Sequence, residues 1–204
     1  AQGKKMSKSK NNVTNPLELT LKYGTDALRM GLVVGNPPGA DLTLREDKIK
    51  GYKYFANKIW NVSRFVFENI KEADVTVAPD LLPEHRQHLN QLDQVIVEVT
   101  KQLENWRIDL AADQIYHYFW HTFADKIIEE TKTLFKNEEK NNENLGAKKS
   151  AAWLLYVFLA TSLKLLHPFM PFVTEAVWEQ LPAGAHKKQD LLLLEPWPTV
   201  SVKT

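Results

Sequence analysis

The amino-acid sequence predicts an all-α fold, an antiparallel helix bundle that follows a small segment of α/β type. Apolar residues recur at three- and four-residue steps along several long stretches, and prolines and glycines stand between those stretches. Hydrophobic residues make up 44% of the 204 residues, which is enough for a real core. We therefore expect two parts, residues 1–45 and a helical bundle over residues 46–204.

The first part carries signals for two short helices. Asn15 can cap a helix whose first position is Pro16, and Gly24 can end that helix in a left-handed conformation. A second short helix is predicted to begin at Thr25. Residues 41–44 alternate polar and apolar, which predicts a brief strand or an extended link.

The bundle itself is predicted from helical apolar periods. Thr43 and Glu46 have the spacing of a capping box for its first helix, and Asp109 can cap a later one. Ser150 to His167 forms another long helix, and Pro171 opens a short last one. The expected buried positions of three helices are Ile49, Tyr52, Ala56, Ile59, Ser63, Val66 and Ile70; Leu89, Leu92, Ile96, Val99, Leu103 and Trp106; and Ile115, Phe119, Phe123 and Ile127.

Composition and charge exclude several classes of protein. The chain has 26 basic and 25 acidic side chains and a net charge of +1, so any binding of a polyanion depends on local patches. It has no cysteine, which excludes disulfides and thiolate metal sites and fits a reducing cytosol. The apolar run Ala151–Ala160 is shorter than the roughly 20 residues that span a bilayer, so we expect a buried helix there.

A lysine- and serine-rich loop opens the chain. Its centre is KMSKS, which is Lys5, Met6, Ser7, Lys8 and Ser9. Lysine supplies a movable point charge, and serine hydroxyls and backbone N–H groups can bond phosphate oxygens. The pattern therefore favours a polyanion ligand over a merely solvated terminus once the residues that follow are taken into account.

Those following residues resemble a known family. GKKMSKSKNNVTNPLELTLKYGTDALR resembles the signature loop of class I aminoacyl-tRNA synthetases and the segment after it, in the subgroup that charges branched aliphatic amino acids. Phe55–Val66 (FANKIWNVSRFV) resembles the first helix of that subgroup's anticodon-binding bundle, and residues 167–181 and 195–198 resemble its end. FANKIWN, residues 39–42 and FWHTFAD (119–125) look most like the valyl enzymes, with isoleucyl second and leucyl third.

The resemblance implies a fold, a chemistry and a location. Residues 1–45 would be the end of a catalytic domain with its stem-contact segment, and residues 46–204 the anticodon-binding bundle. In this family the loop closes over ATP, with Mg²⁺ expected alongside, and its second lysine, here Lys8, stabilises the charge on leaving pyrophosphate. No His-Ile-Gly-His-type signature is present, so we expect a C-terminal fragment that is inactive alone, monomeric and cytoplasmic.

The predicted RNA-binding surface lies mainly on the first bundle helix. Its residues are Lys50, Lys53, Asn57, Asn61 and Arg64 on one helical stripe, with Arg107 at a later turn. Lysine and arginine can grip phosphates, and asparagine can contact the base edges of an unstacked loop. The neighbouring aromatic residues Tyr54 and Trp60 could stack on bases, but their position beside the apolar face favours the core.

Two other features leave alternatives to be weighed. His117 and His121 have a spacing that could hold zinc, but no third ligand is evident, so we expect a polar helix face and no metal site. A non-catalytic helical RNA-binding module or a protein-binding scaffold would give a similar bundle. Neither would account for the KMSKS loop.

Overall fold

The computed structural model describes residue 6 and residues 13–71, 73–136, 142–183 and 189–200. Every regular element in this part of the chain is helical. The helices are α1 Pro16–Tyr23, α2 Thr25–Val33, α3 Glu46–Ile70, α4 Pro83–Glu104, α5 Ile108–His117, a π-helix Tyr118–Ile127, α6 Ile128–Lys136, α7 Asn142–Leu166, α8 Pro171–Gln180 and a 3₁₀ turn Leu192–Leu194. The prediction of an all-α bundle is confirmed.

Ring contacts show how the long helices are aligned. The ring of Tyr52 lies 5.5 Å from that of Tyr116, and Phe55 lies 5.7 Å from Phe119. Further along, Phe65 lies 6.4 Å from Phe135. Residue numbers rise together on both sides, so α3 runs parallel to the rod formed by α5, the π-helix and α6. Helix α4 connects the two in sequence and packs against α5 and α7.

The rod keeps one buried face because it contains a π-helix. Ile115, Phe119, Phe123 and Ile127, the positions predicted to be buried, are all fully buried. Their strict four-residue spacing exceeds the 3.6 residues of an α-helical turn, so a straight α-helix would rotate the later residues away from the core. The wider π turn over Tyr118–Ile127 compensates for that drift.

Several helix boundaries agree with the sequence analysis. The Asn15 side chain accepts a hydrogen bond from the Leu17 N–H at 3.0 Å, and Pro16 is the first residue of α1. Gly24 has φ +92°, which a residue with a side chain rarely adopts. Pro171 begins α8 as predicted.

Other local predictions are wrong. The described part of residues 1–45 contains two helices and no strand, and of the two alternatives predicted for residues 41–44 the link is present instead of the strand. Thr43 does not cap α3, whose N-cap is Arg45. Asp109 lies inside the first turn of α5 instead of capping it, since it is held by Arg107. Helix α7 begins at Asn142, eight residues before Ser150.

The prediction that Trp106 is buried is also wrong. Its spacing extends the buried face of α4, but α4 ends at Glu104 and the Trp106 side chain is 77% exposed. The turn after α4 reverses the backbone, and this rotates the side chain away from the core. The other members of that face, from Leu89 to Leu103, are buried or half-buried.

Helix α7 is the central helix of the bundle. Its stretch Leu145–Leu166 is long and apolar enough to cross a membrane by length and composition, yet 67% of its most apolar window is buried inside the protein. Phe158, for example, is fully buried and contacts the rings of Tyr118 and Phe123. The prediction of a buried core helix at Ala151–Ala160 is confirmed.

Helix α2 is fastened to the bundle by two charged side chains. The Asp26 carboxylate accepts hydrogen bonds from the N–H groups of Phe172 and Val173 at 3.2 and 2.7 Å, so it caps α8 from another helix. One turn later, Arg29 donates to the carbonyl oxygens of Pro168 and Phe169 at 2.9 and 3.1 Å. The segment after the KMSKS loop is therefore tied to the junction between α7 and α8.

A buried histidine, His85, and a partly buried one, His167, make the stability of this fold depend on pH. The Nδ1 atom of His85 lies 2.7 Å from Ser150 Oγ, and that of His167 lies 2.8 Å from Thr174 Oγ1. Burial, the largest cause, lowers the pKa of both imidazoles below the usual value of 6.5. The unfolded chain therefore binds more protons than the folded chain once the pH falls below about 6.5.

We expect the free energy of unfolding to decrease as the pH falls from 7.5 to 5.5. Each histidine contributes a slope of up to about 1.4 kcal/mol per pH unit below the unfolded-state pKa. Urea unfolding at the two pH values measures this decrease. The double variant His85→Gln, His167→Gln should remove most of the slope, and equal wild-type stability at both pH values would contradict the assignment.

Candidate nucleic-acid interface

The predicted stripe on α3 lies on the surface. Lys50, Lys53, Asn57, Asn61 and Arg64 are all exposed, on the side of the helix opposite its buried residues. The buried residues include Ile49, Phe55, Ile59 and Val66, which are fully inaccessible to solvent. The bundle therefore fixes one face of α3 in its core and presents the other, with its cations and amides, to solvent.

The two lysines of this stripe differ in their contacts. The ammonium of Lys50 lies 6.0 Å from the centre of the Tyr54 ring. The ammonium of Lys53 donates a hydrogen bond to the carbonyl oxygen of Lys22 at 3.1 Å, near the C-terminal end of α1. Lys53 thus also joins α1 to α3, whereas Lys50 contacts the neighbouring exposed ring of Tyr54.

Two aromatic side chains on α3 are exposed, and the expectation that they belong to the core is wrong. Tyr54 is 53% exposed and Trp60 is 39% exposed. Both lie outside the buried face of α3. The structure therefore leaves their rings available for stacking beside the amides of Asn57 and Asn61.

The π-helix borders this stripe with a mixed charged surface. Lys58 of α3 forms an ion pair with Asp125 at 2.5 Å and lies 4.5 Å above the ring of Trp120. Next to it, the rings of His117 and His121 stack with centroids 5.5 Å apart. Asp125 compensates the charge of Lys58 in the free chain, so the uncompensated cations of this surface lie on the outer stripe.

The two histidines form a polar helix face. His117 lies 3.5 Å from Asp113 and His121 lies 3.5 Å from Asp125, each one helical turn away. Within the described residues, no group of three or more His, Cys, Asp or Glu side chains is arranged to hold a metal ion.

Arg107 lies apart from the stripe, at the turn between α4 and α5. Its guanidinium donates two hydrogen bonds to Asp109, at 3.0 and 2.9 Å, and these lower the pKa of that carboxyl. The Asp109 side chain is only 5% exposed, while that of Arg107 is 42% exposed. Arg107 therefore has a structural partner, and its part in RNA binding stays a prediction.

Of the KMSKS residues, Met6 alone is among the described residues. Met6 is exposed, and Lys5, Ser7, Lys8 and Ser9 lie outside the described residues. Their predicted contact with ATP phosphates stays a prediction. What the described geometry does show is that α2, which follows the loop in sequence, is held firmly on the bundle by Asp26 and Arg29.

The assembled surface is suited to a particular kind of ligand. A row of exposed cations can neutralise successive phosphates, and exposed amides and aromatic rings beside it can contact unpaired bases. Sequence reasoning found the cations and amides from helical spacing. It missed the exposure of the rings, because the period of a helix does not reveal how wide its buried face is.

Comparison with known proteins agrees with a class I synthetase bundle. The family model for the anticodon-binding domain of tRNA ligase matches residues 85–204, which is more than half of the chain. The model for class I tRNA synthetases of the I, L, M and V group matches residues 1–45. The chain belongs to the anticodon-binding domain family of tRNA ligases.

The most informative relatives are valine--tRNA ligases. The enzyme of Aquifex aeolicus (strain VF5) is 41% identical over 189 residues, which cover 88% of this chain and 16% of the relative. That of Geobacter sulfurreducens is 42% identical over 190 residues, which cover 90% of this chain and 21% of the relative. The chain thus spans only about a fifth of the length of these curated relatives.

Solved structures share the fold at lower identity. A leucyl-tRNA synthetase from Agrobacterium radiobacter K84, in a ternary complex with tRNA, superposes with a TM-score of 0.70 and 23% identity. The superposed region covers 97% of this chain and 22% of the leucyl-tRNA synthetase chain. Methionyl-tRNA synthetase of Mycobacterium tuberculosis bound to methionyl-adenylate has a TM-score of 0.72 and 18% identity, over 85% of this chain and 35% of that one.

Proposed function

We propose that this chain is the tRNA-binding C-terminal part of a valine--tRNA ligase, which charges tRNA with valine at the expense of ATP. The observation that carries the proposal is the exposed stripe of α3, where three cations and two amides face solvent from a rigid helix. Family membership supports tRNA as the partner, and the valine--tRNA ligases among the relatives favour valine over isoleucine or leucine.

Each group of the stripe has a role within the proposal. Lys50, Lys53 and Arg64 contact phosphates, which fixes the position of the tRNA without reading its sequence. Asn57 and Asn61 contact base edges of an unstacked loop, where an amide can both donate and accept. The near-neutral net charge of +1 supports a local contact surface instead of a general attraction to RNA.

The proposal also gives the KMSKS loop a role in catalysis by the longer enzyme. Lys8 stabilises the charge on the departing pyrophosphate, while Lys5, Met6, Ser7 and Ser9 shape the loop around ATP. ATP, with Mg²⁺ beside it, is a substrate of the longer enzyme. We also propose that the protein is monomeric and cytoplasmic, and the absence of cysteine supports a reducing compartment.

Salt dependence of tRNA binding tests the stripe. Lys50→Ala should weaken all tRNAs alike and reduce the slope of log affinity against log salt by roughly one, because one phosphate contact is lost. Asn57→Ala should leave the slope unchanged. It should reduce the difference in binding free energy between valine-accepting and other tRNAs by about 1–3 kcal/mol, because a base contact is lost. Fluorescence anisotropy with the 204-residue chain at four salt concentrations measures both effects.

A cation on another side of the bundle provides the control. Lys126 is exposed on the π-helix, near His88 and Glu130 on the side that faces α4. Lys126→Ala should leave the salt slope as it is. If Lys126→Ala reduces the slope and Lys50→Ala does not, the RNA binds a different face and the assignment to α3 fails.

A further inference from the structure

Trp106 has a backbone conformation that its residue type disfavours. Its φ is +59°, and among the described residues it is the one non-glycine residue with a positive φ. Glycine is the usual residue at such a position after a helix, and asparagine is the usual substitute, because a bulky side chain crowds the backbone there. A tryptophan at this place needs an explanation.

The turn does not need the indole for its own structure. The Arg107 N–H donates to the Gln102 carbonyl at 2.8 Å, and the Trp106 N–H donates to that of Leu103 at 3.0 Å, so the backbone closes α4 by itself. The Asn105 side chain satisfies the Lys101 carbonyl at 2.7 Å. Since the indole is 77% exposed, burial does not compensate for the strained backbone either.

The surroundings of the indole resemble a contact surface. Ile108 and Leu110, on the first turn of α5, are 42% and 38% exposed. Arg107 lies directly beside the ring in sequence, and its guanidinium is held in a fixed orientation by Asp109. The ring is therefore presented on a rigid turn, next to a fixed guanidinium and two apolar side chains.

This turn lies at the end of the bundle where the α3 stripe begins. Because α3 is parallel to α5 and Tyr52 meets Tyr116, the first turns of both helices lie at the same level. Trp106 precedes Tyr116 by ten residues, a distance of about 15 Å along the axis. Along the bundle axis, the exposed indole therefore comes first and the stripe from Lys50 to Arg64 comes after it.

We propose that Trp106 is a stacking platform for an unpaired base of the bound tRNA, a contact beyond the α3 stripe. The inference rests on the proposed function, since it needs tRNA as the partner. An exposed aromatic ring stacks on any base, because every base has a π face, and the neighbouring Arg107 suits the adjacent phosphate. A protein partner would also use a tryptophan, but continuity with the row of cations favours RNA.

Substitutions that suit the backbone but lack the ring separate function from structure. Trp106→Gly and Trp106→Asn both fit a positive φ and remove the indole, whereas Trp106→Phe keeps an aromatic face. We expect Gly and Asn to weaken binding of a valine-accepting tRNA transcript about tenfold, and Phe by less than about threefold. The same Gly and Asn variants should have an equal or higher midpoint of thermal unfolding, because they relieve strain.

Together, the binding and unfolding measurements separate failure of the proposed function from failure of the stacking contact. If the wild-type chain does not bind the transcript, the proposed function and this inference are both overturned. If wild type binds and the Gly and Asn variants bind equally well, tRNA binding stands and the stacking contact is refuted. A lower unfolding midpoint for both variants would show that the indole serves packing, and this too would refute the proposal.

Discussion

Gly31→Ala should destabilise the chain, because the added methyl group has no room between α2 and α3. A Cβ atom at this position would lie 2.8 Å from Cγ1 of Ile49 and 3.6 Å from its Cα. Ile49 is fully buried, so it has little freedom to move aside. Overpacking of this kind costs about 1–3 kcal/mol, and the higher helix propensity of alanine offsets a part of this.

A second helical glycine isolates the packing cost. Gly51 lies on the exposed face of α3, and a Cβ atom there would meet nothing within 4 Å. Gly51→Ala should therefore stabilise the chain by about 0.5–1 kcal/mol through propensity alone. The difference between the two variants in urea unfolding gives the cost of the contact. If Gly31→Ala is as stable as Gly51→Ala, α2 does not pack on α3 as closely as described.

Lys8→Ala should slow amino acid activation strongly in a full-length valine--tRNA ligase that contains this sequence. Removing one preorganised stabiliser of developing charge typically raises the barrier by about 3 kcal/mol, which is a rate decrease of more than a hundredfold. The affinity for tRNA should change little, because the proposed tRNA contacts lie on α3. Exchange of labelled pyrophosphate into ATP measures the first effect, and equilibrium binding of tRNA measures the second.

The neighbouring Lys10 serves as the matched control for charge. It lies just after the KMSKS residues, so Lys10→Ala removes the same charge from the same loop without touching the motif. We expect Lys10→Ala to keep activation within a few-fold of wild type. Equal activation by the Lys8→Ala enzyme and wild type would refute the proposed role of Lys8.

Much of the fold was predictable because helix periods and caps are local properties. The spacing of Ile49, Ile59 and Val66 indicated the buried face of α3, and Asn15 with Pro16 indicated the start of α1. The same rules failed where another side-chain contact competed for the capping residue. Aspartate is a common N-cap residue, but the carboxylate of Asp109 binds Arg107 and α5 starts one residue earlier, at Ile108.

The candidate site divides in the same way between local pattern and tertiary contact. Lys50, Asn57 and Arg64 share one face of any helix that contains them, so sequence spacing alone could group them. Their actual partners depend on which helices lie beside α3. Contact with α1 engages Lys53 with the carbonyl oxygen of Lys22, and no period in the sequence reveals this.

The sequence by itself determined the helical class, the family resemblance and the set of residues on the α3 stripe, because these depend on neighbours within one or two helical turns. The tertiary structure alone decided the capping of α8 by Asp26, the exposure of Tyr54 and Trp60, and the strained turn at Trp106. Each of these depends on residues distant in sequence or on where the chain reverses, and such contacts form only when the helices pack.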